Sequence, residues 1–126
     1  RIEGVLETFP ILKKRLSQLA GTMSGGEQQQ LIFARAKIVE PKVILIDEPS
    51  LGLAPAVVEQ AFSYIQRIAS EGVSILLVEQ NAFRGLKASH FGVVMDLGNI
   101  VFEKTASEVM SDKRIRDLYL GKRGKK

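Results

Sequence analysis

The chain has 126 residues, which is enough for one hydrophobic core but not for two. With 45% apolar and 25% charged residues and no cysteine, the composition excludes a disordered chain, disulfides and thiolate metal sites. The net charge of +4 is carried by the last six residues, GKRGKK, which are typical of a solvated terminus, with weak contact to anionic lipid or nucleic acid as the alternative.

The first half of the chain predicts two helices and a strand. Residues 2–19 carry apolar side chains at helical spacing, and Pro10 predicts that the helix restarts there. A glycine-containing loop at 21–26 leads to a second helix, predicted over about 25–39. The apolar run at 43–46 is typical of a strand buried on both faces of a parallel sheet.

The second half predicts a helix, a strand and a hairpin with short helices around it. An apolar stripe predicts a helix at about 56–71, and a second apolar strand follows at 74–79. Gly98-Asn99 predicts the turn of a hairpin, because both residues tolerate positive φ. The remaining predicted elements are a helix at 82–89, hairpin strands at about 92–97 and 100–104, and helices at about 105–111 and 112–120.

This order of elements indicates an α/β fold with a parallel sheet. Two parallel strands are few for such a sheet. We therefore expect that strands are missing from the chain as given, and that the partial sheet exposes an edge and apolar faces.

The segment Ser24-Gly25-Gly26-Glu27 stands at the start of a predicted helix. A helix N-terminus has free N–H groups and a partial positive charge, and two glycines let a phosphate approach the backbone closely. Ser24 with Glu27 three residues later is also the pattern of a capping box. Both roles stay open, because a capped helix can still present N–H groups to an anion.

Asp47 and Glu48 directly follow the apolar run at 43–46. The carboxyl end of a strand is where ligands bind in open α/β sheets. An Asp there can hold Mg²⁺ together with water and phosphate, and the adjacent Glu can polarise an attacking water. The alternative is an acid pair that caps a helix, but its position between an apolar strand and Pro49 favours function.

Gln80 and Asn81 follow the second apolar strand in the same way. If the two strands are neighbours, Gln80 faces the same crevice as Asp47 and Glu48, where its amide can donate to a phosphate oxygen. The alternative is a polar turn in which Asn81 caps the following helix.

Taken together, in this order and spacing, these segments resemble the ATP-binding subunit of ABC transporters. Residues 23–27 are similar to the family's signature motif, 44–49 to its Walker B strand with the catalytic Glu, and 50–55 to its D-loop. Gln80 stands where the family usually has its switch histidine. The combination is far more specific than any single segment.

One subgroup of the family is more similar than the rest. The segments 22–29, 48–55 and 77–81 resemble the second ATP-binding subunit of high-affinity branched-chain amino-acid importers, and 115–121 resembles the carboxyl end of that subunit. The resemblance covers essentially residues 1–121.

Several departures from the general family pattern fit this subgroup. Met23 and Glu27 replace the usual Leu and Gln of the signature motif, Ala54 replaces the usual Asp of the D-loop, and Gln80 replaces the switch His. Because Gln80 cannot carry a proton at neutral pH, any role it has should be positional. The larger departure is that these 126 residues contain no G-x-x-x-x-G-K-[ST] phosphate-binding loop.

The resemblance implies roles for particular residues. Asp47 would organise Mg²⁺, Glu48 would be the general base for water, and Gln80 would sense the γ-phosphate of ATP. Four residues of the signature segment would contact the ATP held by a partner subunit, namely Ser24, Gly25, Gly26 and Glu27. The chemistry implied is phosphoryl transfer to water.

In terms of fold, the resemblance implies part of a P-loop NTPase-type parallel sheet with flanking helices. Residues 1–40 would belong to the helical signature subdomain, and 41–121 would run from the Walker B strand through a C-terminal β-hairpin to the end of the domain. Residues 122–126 would form a basic tail.

The implied partners are a second ATP-binding subunit in a head-to-tail dimer and transmembrane permease subunits, with no nucleic acid. The implied place is the cytoplasmic face of the inner or plasma membrane, as a peripheral subunit. We expect the 126-residue chain alone to be inactive, because it lacks the phosphate-binding loop. The alternatives are a non-catalytic truncated interaction module, or the same ATPase serving urea, amide or lipopolysaccharide transport.

Some features have plainer interpretations. The basic run 13–15 is predicted to lie on the solvated side of a helix, with contact to a membrane subunit as the alternative. His90, the only histidine, is predicted to be structural or solvated. Phe83 and Phe91 are predicted to lie in the core.

Overall fold

The computed structural model describes residues 1–119 of the chain. The predicted resemblance at 120–121 and the basic tail at 122–126 lie outside the described residues. The elements in chain order are α1 (Ile2–Thr8), α2 (Pro10–Lys13), a 3₁₀ turn (Ala20–Thr22), α3 (Gly25–Ile38), β1 (Val43–Asp47), α4 (Pro55–Ser70), β2 (Ser74–Val78), α5 (Ala82–Lys87), β3 (Phe91–Asp96), β4 (Asn99–Thr105), α6 (Ala106–Ser111) and α7 (Lys113–Tyr119).

The chain divides into two compact units, Arg1–Leu76 and Leu77–Lys126, so that the boundary falls inside β2. The division predicted at residue 40 concerns the subdomains of the resembling family and stays a prediction. Within residues 1–119, no helix is both long enough and apolar enough to cross a membrane.

The α/β class predicted from the sequence is confirmed. β1 and β2 are neighbours in a two-stranded parallel sheet, and α4 connects them. At the start of the pair, the Ser74 N–H donates to the Lys42 carbonyl at 2.9 Å. Both apolar runs are therefore strands, as their β-branched and aliphatic composition predicts.

The expectation that these strands are buried on both faces is wrong. Side chains along β1 alternate between exposed and half-buried, with Val43 57% exposed and Leu45 73% exposed. Leu76 on β2 is 61% exposed. A strand buries both faces only where a layer covers each of them, and one face of this pair lies open. The expectation that the partial sheet exposes apolar side chains is confirmed.

The first predicted helix is shorter than expected. Its restart at Pro10 is confirmed: α1 ends at Thr8, and Phe9 lies between the helices with φ −124° and ψ 70°. The residue before a proline resists the helical region, which explains the break. The prediction of helix up to residue 19 is wrong, because regular helix ends at Lys13 and only turns follow. Leu16, which is 69% exposed, has no core to bury it there.

The apolar stripe of α4 is the centre of the first unit. It buries five side chains, Val58, Ala61, Phe62, Ile65 and Ile68. On the same helix, the ring of Tyr64 lies 4.9 Å from the ring of Phe9, centroid to centroid, and 6.2 Å from that of Phe33. Phe9 is fully buried, so the residue that interrupts the first helices also anchors them.

A polar contact joins three helices of the first unit. The Lys37 ammonium on α3 donates to Thr8 Oγ1 of α1 at 2.8 Å and to Glu71 Oε1, directly after α4, at 2.8 Å. Thr8 is buried, and the Lys37 side chain is only 19% exposed. A cation so far withdrawn from water needs partners, and these two oxygens supply them.

The second unit contains a hairpin in which β3 and β4 pair antiparallel from Phe91↔Thr105 to Asp96↔Asn99. The predicted turn is therefore displaced by one residue: Asn99 is already in the ladder, and Leu97-Gly98 form the loop. Leu97 has φ 46° and Gly98 has φ 81°, and positive φ at both central residues matches the right-handed twist of the strands. The Asn99 side-chain amide donates to the Leu97 carbonyl at 3.2 Å.

One face of the hairpin packs on a small core of four buried side chains, Leu86, Ala106, Val109 and Ile115. The backbone approaches closely at Gly92, where a Cβ atom would lie 2.5 Å from Leu86 Cδ2. The prediction that Phe83 and Phe91 are core residues is wrong, since they are 53% and 54% exposed. Their side chains fall on the faces of α5 and β3 that no layer covers.

We predict that Phe9→Ala destabilises the protein by about 3–5 kcal/mol, because it leaves a cavity beside Tyr64 and removes the ring contact. The free energy of unfolding from urea denaturation measures this change. Phe83→Ala is the matched control and should cost less than about 1 kcal/mol, because that ring is already half in water. Equal losses for the two variants would contradict the assignment of Phe9 to the core.

Candidate functional site

The segment Ser24–Glu27 forms the N-terminus of α3, as predicted. Ser24 is the N-cap residue, and its Oγ accepts from the Glu27 N–H at 3.4 Å. Glu27 Oε2 in turn accepts from the Ser24 N–H at 2.9 Å and from the Ser24 hydroxyl at 3.0 Å. The capping box is therefore present.

The two glycines lie between these reciprocal bonds. A Cβ atom on Gly25 would meet nothing within 4 Å, so the backbone there is open. A Cβ on Gly26 would lie 3.6 Å from Val57 Cγ2, so this side of the helix start packs on α4. As in any first helical turn, the N–H groups of Gly25 and Gly26 have no carbonyl partner within the helix. The capped start can thus still offer main-chain donors to an anion on its open side.

Glu27 also accepts a hydrogen bond from a residue of the basic run at 13–15. Arg15, in the turn after α2, donates from Nε to Glu27 Oε1 at 3.2 Å. The pKa of Glu27 is lowered, mainly by the backbone and side-chain hydrogen bonds from Ser24 and further by the charge of Arg15. Arg15 is exposed, as predicted for the run 13–15, but it also pairs with Glu27. Helical spacing could not reveal a partner twelve residues away, after the helix has ended.

Asp47 is the last residue of β1 and is exposed, and Glu48 is the first residue after the strand. Glu48 has φ 44°, in the left-handed region that non-glycine residues rarely adopt. The chain turns there, with the Leu51 N–H donating to the Glu48 carbonyl at 3.1 Å, and Pro49 is buried. Backbone strain of this kind costs on the order of 1–3 kcal/mol and often occurs at functional sites. No sequence pattern predicted it.

Gln80 is exposed and lies between β2 and α5. The predicted alternative for its neighbour is confirmed: Asn81 is the N-cap of α5, and its Oδ1 accepts from the Arg84 N–H at 3.0 Å. The Asn81 N–H donates to Glu79 Oε2 at 2.9 Å. Gln80 belongs to the second compact unit, and its predicted proximity to Asp47 and Glu48 stays a prediction.

The donor set near the acid pair suits a cation that needs few protein ligands. Among residues 1–119 no three His, Cys, Asp or Glu side chains come together as a metal cluster. Mg²⁺ characteristically takes one or two carboxylates and completes its shell with water and phosphate oxygens. Asp47, exposed at the end of its strand, fits that requirement, whereas a site built only from protein ligands does not fit.

Comparisons with known proteins identify what the chain is similar to. The sequence pattern of the ABC transporter family matches residues 1–51. The chain is 48% identical over 121 residues to the high-affinity branched-chain amino acid transport ATP-binding protein BraG of Pseudomonas aeruginosa, covering 96% of this chain and 52% of BraG. It is 35% identical over 122 residues to the probable branched-chain amino acid transport ATP-binding protein LivF of Archaeoglobus fulgidus, again covering 96% and 52%.

A solved structure is similar as well. The ADP conformation of MJ1267, an ATP-binding cassette of an ABC transporter, superimposes with a TM-score of 0.78 at 28% identity, covering 94% of this chain and 48% of that one. The chain belongs to the ABC transporter ATP-binding family. It spans about half the length of the relatives it matches.

Membership of the ABC transporter family accounts for the order of the segments along the chain. The family match at 1–51 contains both the signature segment and the Asp47-Glu48 pair. In the structure, Ser24 and Glu27 form one hydrogen-bonded group at the start of α3, and Asp47 and Glu48 follow each other at the end of β1.

We predict that Ser24→Ala raises the pKa of Glu27 toward its ordinary value of 4.5, because the largest causes of the lowering are hydrogen bonds from Ser24. A carboxyl whose pKa is lowered on folding stabilises the folded state above its unfolded pKa. That contribution is lost as the pH falls through the folded pKa. Loss of the cap should therefore reduce stability at neutral pH and flatten the acid limb of the stability curve.

Carbon-detected NMR titration of the Glu27 carboxyl measures the shift in a full-length ABC subunit that carries this sequence, referred to below as the full-length subunit. Ser17→Ala is the control: Ser17 is exposed in the same segment and should leave the Glu27 titration unchanged. An unchanged titration in Ser24→Ala would contradict the capping box.

Proposed function

We propose that this chain is part of the ATP-hydrolysing subunit of an ABC importer that energises the uptake of branched-chain amino acids. The observation that carries the proposal is the acid pair at the end of β1, with exposed Asp47 followed by Glu48 in a strained turn. The cargo rests on the names of the similar proteins BraG and LivF, at 48% and 35% identity. Because cargo is selected by other subunits, this part of the proposal depends on analogy.

Each residue has a separate task in the proposed reaction. Asp47 would hold Mg²⁺, which would neutralise part of the charge on the phosphates. Glu48 orients a water and accepts its proton, since a carboxylate directly beside the metal ligand is placed to act as a general base. Gln80 donates hydrogen bonds from its amide group to the γ-phosphate of ATP. It takes no part in proton transfer, because an amide does not ionise at physiological pH.

The signature segment acts on a different nucleotide. Ser24, Gly25 and Gly26 contribute a hydroxyl and main-chain N–H groups at the positive end of α3, where an anion is stabilised. The open space over Gly25 supports this role. In the proposed head-to-tail dimer, Ser24, Gly25 and Gly26 face the ATP bound by the partner subunit. Glu27 closes the capping box with Ser24 at the end of this segment. The dimer is coupled to transmembrane permease subunits as a peripheral assembly at the cytoplasmic face of the membrane.

We predict that Glu48→Gln in the full-length subunit abolishes ATP hydrolysis while nucleotide binding is kept. Loss of a positioned general base should lower kcat by about 10²–10⁴-fold, and the neutral amide preserves the shape of the side chain. Steady-state phosphate release measures turnover, and equilibrium binding of a fluorescent ATP analogue measures affinity.

The control for this variant is Glu103→Gln, which makes the same chemical change at an exposed position of β4. It should leave both turnover and binding within about twofold of the unmodified protein, as for most surface substitutions. Unchanged turnover in Glu48→Gln would contradict the general-base assignment, whereas loss of binding would assign Glu48 to nucleotide retention instead.

We predict that the purified 126-residue chain has no measurable ATPase activity. It contains the acid pair and the signature segment but no phosphate-binding loop, which would supply most contacts to the phosphates. Turnover by the chain alone that disappears with Glu48→Gln would contradict this.

The absence of a phosphate-binding loop from these 126 residues also motivates the alternative of a non-catalytic interaction module. The sequence of the gene distinguishes the ATPase from the module. A phosphate-binding loop encoded upstream of Arg1 in the same frame favours the ATPase, and a start codon without such a loop favours the module.

A further inference from the structure

Arg15 lies outside the signature segment but contacts it. The backbone of Arg15 is held in the turn after α2, where its N–H donates to the Leu12 carbonyl at 3.0 Å and its carbonyl accepts from the Gln18 N–H at 2.9 Å. From this turn its Nε reaches Glu27 Oε1 at 3.2 Å. The side chain of Arg15 is 47% exposed, whereas that of Glu27 is only 16% exposed. The pair is therefore a contact onto a mostly covered carboxylate.

The two oxygens of Glu27 are used separately. Oε1 accepts from Arg15, and Oε2 accepts both the N–H and the hydroxyl of Ser24. The carboxylate is held from opposite ends, so its rotation is restricted and its second oxygen stays on Ser24. The direction of the Ser24 hydroxyl therefore depends, through Glu27, on Arg15.

The loop between Arg15 and the signature segment is braced by two further side chains. Gln18 Nε2 donates to the Thr22 carbonyl at 3.1 Å. Gln28, on the first turns of α3, donates from Nε2 back to the Ala20 carbonyl at 3.1 Å. These bonds hold the intervening 3₁₀ turn against the start of α3, so Arg15 is presented to Glu27 by a tied segment of backbone.

The charge of Arg15 bears on how the start of α3 can bind an anion. A carboxylate three residues into α3 caps the helix well, but it also places negative charge next to main-chain donors that would receive a phosphate. Like charges a few ångströms apart repel each other, and the repulsion weakens anion binding. An arginine on the far oxygen offsets that charge without occupying the open space over Gly25.

We propose that Arg15 is a positioning residue for the signature segment: it offsets the charge of Glu27 and holds that carboxylate on Ser24, so that the N–H groups of Gly25 and Gly26 can receive a phosphate-bearing ligand. The inference rests on the proposed function for the identity of that ligand, which is ATP. It does not rest on that function for the Arg15–Glu27–Ser24 chain of contacts. The lowered pKa of Glu27 agrees with the contacts.

A double-mutant cycle in the full-length subunit tests the proposal, using Arg15→Met, Glu27→Gln and the combination of both. Arg15→Met should raise the KM for ATP about two- to fivefold, the range expected for a partly exposed ion pair, with a smaller change in kcat. In the Glu27→Gln background the same substitution should have no further effect, because the charge that Arg15 offsets is gone. Lys13→Met is the matched control, since it removes a nearby exposed cation and should leave KM unchanged in both backgrounds.

A second measurement separates this proposal from the proposed function. The Glu27 carboxyl titration, followed by NMR, should move upward in Arg15→Met but stay below the ordinary value, because Ser24 still donates to Glu27. If the unmodified subunit has no ATPase activity, the proposed function fails, and the titration still decides whether Arg15 acts on Glu27. An unchanged titration overturns the proposal. A KM increase of equal size in both backgrounds also overturns it, because Arg15 would then act independently of Glu27.

Discussion

The ammonium group of Lys37 is the contact on which the first unit depends. It stands near the end of α3, yet its hydrogen bonds go to α1 and to the residue that follows α4. A cation that is largely withdrawn from water is stable only while its partners remain in place. The three helices are therefore tied together through this one charge. The opposite end of α3 carries the signature segment, so the orientation of that segment follows from the same constraint.

Helix α3 is tied to α1 and to the end of α4 near its C-terminus and is capped by Ser24 at its N-terminus, so it connects the core to the candidate site. Helix α4 packs beside α3, and at the start of that contact a Cβ atom on Gly26 would be in ordinary contact with Val57, at 3.6 Å from its Cγ2. The capping box and Arg15 then complete the first turn. Core packing and site geometry are thus connected: the rings of Phe9 and Phe33 pack near Tyr64 in the core, and α3, which carries Phe33, begins at Ser24 and the two glycines.

Much of this arrangement could be predicted from local sequence patterns. Strands β1 and β2 follow from two apolar runs, α4 from its stripe, and the capping box from Ser24 and Glu27 at a spacing of three. The errors arise where tertiary context overrides local preference. Residues 14–19 have helical periodicity but no core to pack against, and the loop of the hairpin is set by strand register and not by the most permissive pair of residues. The contact of Arg15 with Glu27 depends on how the chain folds back, which periodicity does not encode.

The alternation of exposure along β1 and β2 also affects the thermodynamics of the chain. Apolar side chains such as Val43, Leu45 and Leu76 are already largely hydrated in the folded state. Unfolding therefore exposes little additional apolar surface at these side chains. The heat-capacity increase on unfolding then falls below the roughly 12–15 cal/mol/K per residue of a well-covered domain. A small heat-capacity change flattens the curve of the free energy of unfolding against temperature, so this free energy changes only gradually on warming or cooling. Covering that face with another layer would restore the curvature, and with it the dependence of folding on hydrophobic burial.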